Sequence, residues 1–530
     1  MKKVIPVVLA LVMLISTAYG CSSSKDANDG TGNNSSTSGA QASGSGGQVP
    51  AELSGEKPAL KVLGFNAAFD PNKDLNAAEI EKVTGYKVEY FMLPAENADE
   101  KLNIDLSSGS SYDIIKITSK QYYQLVGQGA LLPLDDLLKQ YGKDLLSTVS
   151  EKSWKTCVYN DQTYALPMRK EYNKDVGLFI ACRKDILDDI GVKVPTTLKE
   201  FYDALTAIKA KKPDLIPLTG PLTANLGSGT SEWVLSPTIS SAFGIYNDWQ
   251  DSNGTLVPKL KNANMKSQLA FMNKLYSERL IDADWAINTS TIIQEKFSGG
   301  KAAMVVCDRN LAVSMTPATL ENNPNAKIDY ILPLIGENGE QGCNTEDKIL
   351  YYSCVPKSSK NAAHAINFMN EKAKWDNFLY LTLGKEGTHF TRKEKADAPS
   401  GYERIPIMPI FSDERTNSYW YLNTIDEKNY PDMWMARVRK SDAMWEPFEK
   451  VSLESADIAK PDPIGYMPPS ENLTRYGQTL GKMENDYYLK VITGAEPLDG
   501  YDKFTADWDE AGGSVVSEEI NAWYKEFYQK

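Results

Sequence analysis

From position 59 onward, short apolar runs alternate with longer segments whose apolar residues recur every three to four positions. Ala59–Phe65 (ALKVLGF), Lys87–Leu93 (KVEYFML) and Asp113–Ile117 (DIIKI) have the length and side-chain types of buried strands. Between them, Asn76–Thr84 places Ile80 and Val83 on one helical face and stops at Gly85. Ala98–Ser107 is a second helical stretch, broken at Gly109. Strand–helix–strand–helix–strand at this spacing predicts a parallel sheet with helices on both faces. Lys301–Cys307 (KAAMVVC) and Leu350–Pro356 (LYYSCVP) are further strand candidates, and the second feeds a helix over Asn361–Lys372. Thr197 and Glu200 form a capping box for a helix striped by Leu198, Phe201, Tyr202, Leu205 and Ile208. Ile520, Trp523, Tyr524 and Phe527 mark a last helix, with Ser517 as its expected N-cap. Asn253-Gly254 reads as a hairpin turn. There is no internal repeat, and the N-terminal part is strand-rich while the remainder is helix-rich.

The first fifty residues carry a different pattern. Lys2 and Lys3 precede an apolar run from Val4 to Ile15, followed by small residues and Cys21. This is a secretory signal rather than a membrane span, which needs roughly 20 apolar residues. Residues 1–20 are therefore expected to be a signal peptide. Ser22 to Val49 is Ser, Gly, Asn, Asp, Thr and Ala-rich without an aromatic residue, too polar to offset the entropy of ordering. Residues 21–56 read as a disordered tether with a reach of about 30–35 Å.

Composition narrows the function classes. The chain has 530 residues, enough for two or three domains, and 57 basic against 70 acidic residues give a net charge of −13. That balance argues against nucleic-acid binding, which needs a basic face. Two histidines, His364 and His389, exclude a His-rich metal site and restrict any Ser–His–Asp triad to one of them. Beyond Cys21, the cysteines are Cys157, Cys182, Cys307, Cys343 and Cys354, an odd number without a CxxC. Buried free thiols are the expectation, with a Cys343–Cys354 bridge as the alternative. No GxSxG, HExxH or P-loop is present. Asp251-Ser-Asn253-Gly254 fails as a calcium loop, because Gly254 at its sixth position puts Trp249 first and Leu260 twelfth. No metal or cofactor is expected.

Several fragments carry a family resemblance when taken in order: Glu81–Val88 (EKVTGYKV), Leu106–Ile115 (LSSGSSYDII), Gly129–Asp136 (GALLPLDD), Tyr164–Pro167 (YALP), Arg183–Asp185 with Val194–Thr197 (VPTT), Phe297–Met304 (FSGGKAAM) and Gly384–Gly387 (GKEG). Over residues 57–530 the chain resembles the extracellular solute-binding lipoproteins of carbohydrate-type ABC importers, in their large Gram-positive branch. The resemblance implies an α/β periplasmic-binding-protein fold, two lobes with a hinge and a ligand cleft. Crossings are then expected near Leu166, Cys307–Arg309 and Lys372. That makes residues 57–166 plus 302–372 lobe one and residues 167–301 plus 373–530 lobe two. It also implies a monomer that captures an oligosaccharide and delivers it to a membrane permease without catalysis. Cys21 matches the lipidated cysteine of such proteins, which anchors them to the outer face of the cell membrane.

A sugar offers an apolar ring face and a rim of hydroxyls, so its cleft needs aromatic side chains beside polar and charged ones. Arg169, Glu171 and Tyr172 follow the first expected crossing, and Asp308 and Arg309 cap the KAAMVVC strand. Trp233 follows a Gly/Ser-rich loop, while Trp285, Trp420 and Trp434 stand in polar contexts. Lys116 and Ser119 lie at the carboxyl end of the third strand, where open α/β sheets bind ligands. Two alternatives remain at this point. One is an exported glycoside hydrolase using paired carboxylates, which sequence alone does not reveal. The other is the same fold with a peptide or anionic ligand, suited by Arg169, Lys170, Lys116 and Arg309.

Overall fold

Leu60–Gly64 is the centre of a parallel trio, with Leu60 opposite Val88 on one side and Val62 opposite Ile114 on the other. The computed structural model describes residues 53, 56–220, 236–396, 398 and 401–529. The expected signal peptide, Cys21 with nearly all of the tether, and Trp233 lie outside these residues. The first helix of the βαβαβ unit has a local cause at each end. Asp74 caps Leu75–Thr84 by accepting the Asn76 N–H, and Gly85 ends that helix in a left-handed conformation (φ 71°). The sheet then departs from a purely parallel pattern. Ile349–Cys354 joins Ile114–Ile117 antiparallel, and Ala165–Arg169 adds antiparallel to that strand as the fifth member.

A second, four-stranded sheet is built from Leu178–Arg183, Ile216–Thr219, Ala302–Asp308 and Ile328–Ile331. Its central strands are apolar and buried along their length, as a sheet covered on both faces requires. Ala302–Asp308 was expected to open the return to the first lobe. It pairs instead with Leu178–Arg183 and Ile216–Thr219, so the chain stays on the second sheet through Ile331. Lys372 is likewise not at a crossing. It is buried on Ala362–Ala373, among helices that cover the first sheet. The segment after it is divided rather than uniform. Phe378, Phe411, Leu422, Tyr430 and Met433 pack with Met168 of the first sheet. Val451, Tyr488, Phe504 and Ile520 pack with the second. Among the described residues, three links therefore join the two sheets: 170–177, 332–348 and the stretch around Arg439–Ser441, between Tyr430–Val438 and Asp442–Pro447.

The hairpin at Asn253-Gly254 is present, both residues having positive φ, between Trp249–Ser252 and Thr255–Pro258. The Thr197–Glu200 capping box also forms, opening Leu198–Lys211. Ser517 is not a cap: the last helix runs Ser514–Gln529, and the Ser517 hydroxyl donates to Gly513 O within it. Cys157, Cys182, Cys307, Cys343 and Cys354 are all free and buried, and no Cys343–Cys354 bridge forms. Burial pushes their thiols upward, Cys343 to about 11. Among the described residues, no helix is long and apolar enough to cross a membrane.

One buried carboxyl gives the fold a pH dependence. Glu484, on Glu471–Thr493, accepts a 3.0 Å hydrogen bond from Trp508 Nε1. Burial raises its carboxyl to about 7, with Lys259 only partly opposing. The folded chain thus holds this proton more tightly than the unfolded chain. Its contribution is most favourable below the ordinary glutamate range and is lost as pH rises to about 7. Glu484→Gln keeps the acceptor for Trp508 and removes the charge. It is expected to stabilise the protein by about 2–3 kcal/mol at pH 8 and by little at pH 4, measured by thermal unfolding at both pH values.

Candidate functional site

The links between the sheets converge on a dense set of charges. Arg309, the first residue of the helix Arg309–Asn322, donates through both terminal nitrogens to Asp175, whose side chain is fully buried. The Ser452 hydroxyl adds a 3.0 Å bond to the same carboxylate. Lys170 lies 2.7 Å from Glu346, and Arg169 bonds Asp347 at 2.8–2.9 Å and reaches Glu427 at 3.5 Å. Asp347 is a hub, also taking the Tyr466 hydroxyl at 2.7 Å and Lys152 at 3.3 Å. Burial opposes ionisation of Glu346, but Lys170 and Lys348 outweigh it and hold the carboxyl down at about 2. Lys170 and Asp175 lie on the first of these links and Glu346 and Asp347 on the second, so the network ties the sheets together where those two links pass between them.

Beside this network lies a platform of aromatic rings. Phe65, just past the carboxyl end of the first strand, stacks on Tyr351 with centroids 4.7 Å apart and planes 9° from parallel. Both rings are half-buried. Lys116 Nζ sits 5.0 Å from Phe65, 5.1 Å from Tyr351 and 5.5 Å from Tyr419. Glu171 stands against this group: it favours charge on Lys116 and opposes ionisation of Tyr351, Tyr419 and Tyr430. The Tyr419 hydroxyl faces the Glu171 carboxylate without the geometry of a hydrogen bond. Lys170 approaches Glu171 Oε2 only to 3.9 Å. Among the described residues, Glu171 Oε2, Tyr419 Oη, Tyr430 Oη and Trp434 Nε1 are all buried without a hydrogen-bond partner. Buried polar atoms are normally paired, so this group of unpaired ones marks a place prepared for a polar guest or ordered water.

The residues singled out from sequence divide by position. Glu171 and Lys116 lie at the platform, and Tyr172 borders it, edge-on to Phe448 at 5.4 Å. Arg169 and Arg309 are at the junction but committed to carboxylates. Asp308 is not paired with Arg309; it caps the following helix by accepting the Leu311 N–H at 2.7 Å. Ser119 follows the capping residue Thr118 as the first residue of its helix. Trp285 is buried in the second core against Tyr276. Trp420 is buried under the platform, its Nε1 donating to Phe65 O at 2.9 Å. It presses so closely on Gly64 that a Cβ there would lie 2.5 Å from its ring. Trp434 flanks the Arg309 guanidinium at 5.9 Å. Phe65, Tyr351, Tyr419 and Asp175 were not anticipated. In Leu350-Tyr-Tyr-Ser no local signal separates Tyr351 from the buried Tyr352. Among the described residues, no group of three or more His, Cys, Asp or Glu could hold a metal ion.

Known proteins share this architecture. Lipoprotein LipO of Bacillus subtilis is 26% identical over 501 residues, covering 89% of this chain and 93% of that protein. The polygalacturonan/rhamnogalacturonan-binding protein YtcQ of the same organism is 22% identical over 472 residues, covering 86% and 89%. A solved human-milk-oligosaccharide (HMO)-binding, ABC-transporter-associated solute-binding protein from Bifidobacterium longum infantis superposes with a TM-score of 0.66 at 17% identity. That match covers 89% of this chain and 99% of its own. The fold is thus that of periplasmic binding proteins. The family model described as bacterial extracellular solute-binding protein matches residues 67–374, and this chain belongs to that family.

Proposed function

We propose that this protein captures a neutral oligosaccharide between its two sheets and presents it to an ABC permease, itself performing no chemistry on it. The observation that carries the reading is the Phe65–Tyr351–Tyr419 platform beside Glu171, whose buried Oε2 takes no hydrogen bond among the described residues. Flat rings suit a sugar's apolar face, and a buried carboxylate oxygen accepts from its hydroxyls. The reading of the ligand as neutral comes from the bases. Arg169, Lys170 and Arg309 are each paired with carboxylates, which leaves them little capacity for a uronate.

The lobes, in this reading, are built on the first sheet with residues up to about 436 and on the second sheet with the helices after 442. They move about the three links, as hinge closure around a solute requires. Lipidation at Cys21 is part of the proposal, supported by the sequence around that cysteine and by the lipoprotein relative.

Calorimetric titration against neutral gluco-, manno-, galacto- and xylo-oligosaccharides and against oligogalacturonides tests this. Micromolar binding of one neutral series with no product formed is the expected result. Preference for the galacturonides, which one relative's name makes the natural rival, overturns the neutral reading; turnover of any glycoside overturns the binding role.

A further inference from the structure

Beneath the platform, Leu60–Gly64, Ile114–Ile117, Ala362–Ala373 and the stretch Trp420–Asn423 enclose a cavity of about 10 Å³, room for one water-sized particle. Two lysines line it, Lys116 and Lys372, 3% and 6% exposed, and no carboxylate does. Lys372 Nζ donates to Tyr421 O and, at 2.7 Å, to Asn423 Oδ1. An ammonium has three protons, and the third has no acceptor among the described residues. Lys116 makes one long bond, 3.3 Å to Trp420 O, and otherwise faces aromatic rings. The Tyr90 hydroxyl, on the same wall, is buried without a partner. The Asn423 oxygen is occupied by Lys372, and its nitrogen donates to Ser353 Oγ at 3.2 Å. With both lysines charged, the unused polar capacity of the cavity's side chains is therefore mainly donor, the Tyr90 hydroxyl alone also offering lone pairs.

Two ammonium groups buried together repel one another and lack solvation, and Glu171, the carboxylate that acts on Lys116, does not line the cavity. A water molecule accepts two of these donors but brings two protons of its own and no charge. We infer that the cavity is a site for a small monovalent anion of halide size, held by Lys372, Lys116 and the Tyr90 hydroxyl. The state of the amines agrees. Burial holds both below the ordinary lysine range, Lys372 at about 7, and Lys372 lowers Lys116 further. An anion between them restores the charged forms. The site is distinct from the solute cleft proposed above, since it lies behind Trp420 rather than in front of the rings, and of its three ligands only Lys116 also borders the platform. It fixes the segment that carries Trp420 against Gly64.

The test is thermal unfolding of the whole folded chain at pH 6 in sodium bromide and in sodium gluconate at matched ionic strength. Bromide is expected to raise the unfolding temperature by about 2–3 °C in a saturating manner. The difference should vanish in Lys372→Met and weaken in Tyr90→Phe. Should Lys372→Met fail to fold, the wild-type salt series and Tyr90→Phe decide. Crystals grown in bromide are expected to show an anomalous peak within hydrogen-bond reach of Lys372 Nζ. Equal unfolding temperatures in the two salts, or density there without any anomalous signal, overturn the anion site.

Discussion

Arg309→Met lowers the free energy of unfolding by about 3–5 kcal/mol, measured by urea denaturation at pH 7. The size follows from what the substitution leaves behind. Asp175 is fully buried and takes both terminal nitrogens of Arg309. Without them the carboxylate retains the Ser452 hydroxyl and Lys170 at 3.9 Å, too little to solvate a buried charge. The guanidinium also lies 5.5 Å from Phe448 and 5.9 Å from Trp434, so its removal opens a gap between two aromatic rings. Met fills much of that gap, which makes the loss chiefly electrostatic. Adding Asp175→Asn to Arg309→Met should recover more than half of it, because a neutral pair no longer strands a charge. A loss below about 1 kcal/mol in the single variant contradicts this account and returns Arg309 to the pool of ligand-binding side chains.

Tyr351→Ala has the second large effect, on binding rather than on folding. The ring forms half of the stacked pair with Phe65 and is half-buried. Truncation removes the flat apolar surface offered to a sugar. Affinity for the preferred oligosaccharide should fall about 30-fold, the scale of an aromatic hot spot, while Tyr351→Phe keeps most of it. The unfolding temperature should move by only a few degrees, since the side chain is not part of a closed core. Unchanged affinity in Tyr351→Ala removes the platform from the binding site.

The first sheet was largely legible because its signals are local. Its apolar runs and the Gly85 stop each act within a few residues, as the Thr197–Glu200 box does for a helix on the second sheet. Partnership between strands is not local. A fully buried run such as Ala302–Asp308 suits a central position in either sheet, and only tertiary pairing with Leu178–Arg183 decides between them. The bases misled for the same reason. Arg309 and Asp175 are 134 residues apart, and Arg169 and Asp347 are 178 apart, so the pairing that consumes their charge is invisible along the chain. Trp420 was expected to line the ligand cleft because its neighbours are polar. Those neighbours are themselves buried: Ser418 bonds Thr382 O, and Asn423 takes Lys372. Glu171, chosen from sequence as a polar partner for sugar hydroxyls, acts on the Tyr351, Tyr419 and Tyr430 rings, all far from it along the chain.

The five enclosed thiols have a consequence for how such a chain survives outside the cell. Because none is paired in the fold, acquiring the native structure requires no oxidant and no disulfide isomerase, and a reducing environment removes nothing from it. The hazard is instead confined to the interval between export and folding, when five sulfurs are open to oxidation or to joining with one another. Once the two cores close, each thiol is buried and poorly ionised, and folding itself becomes the protection against redox chemistry.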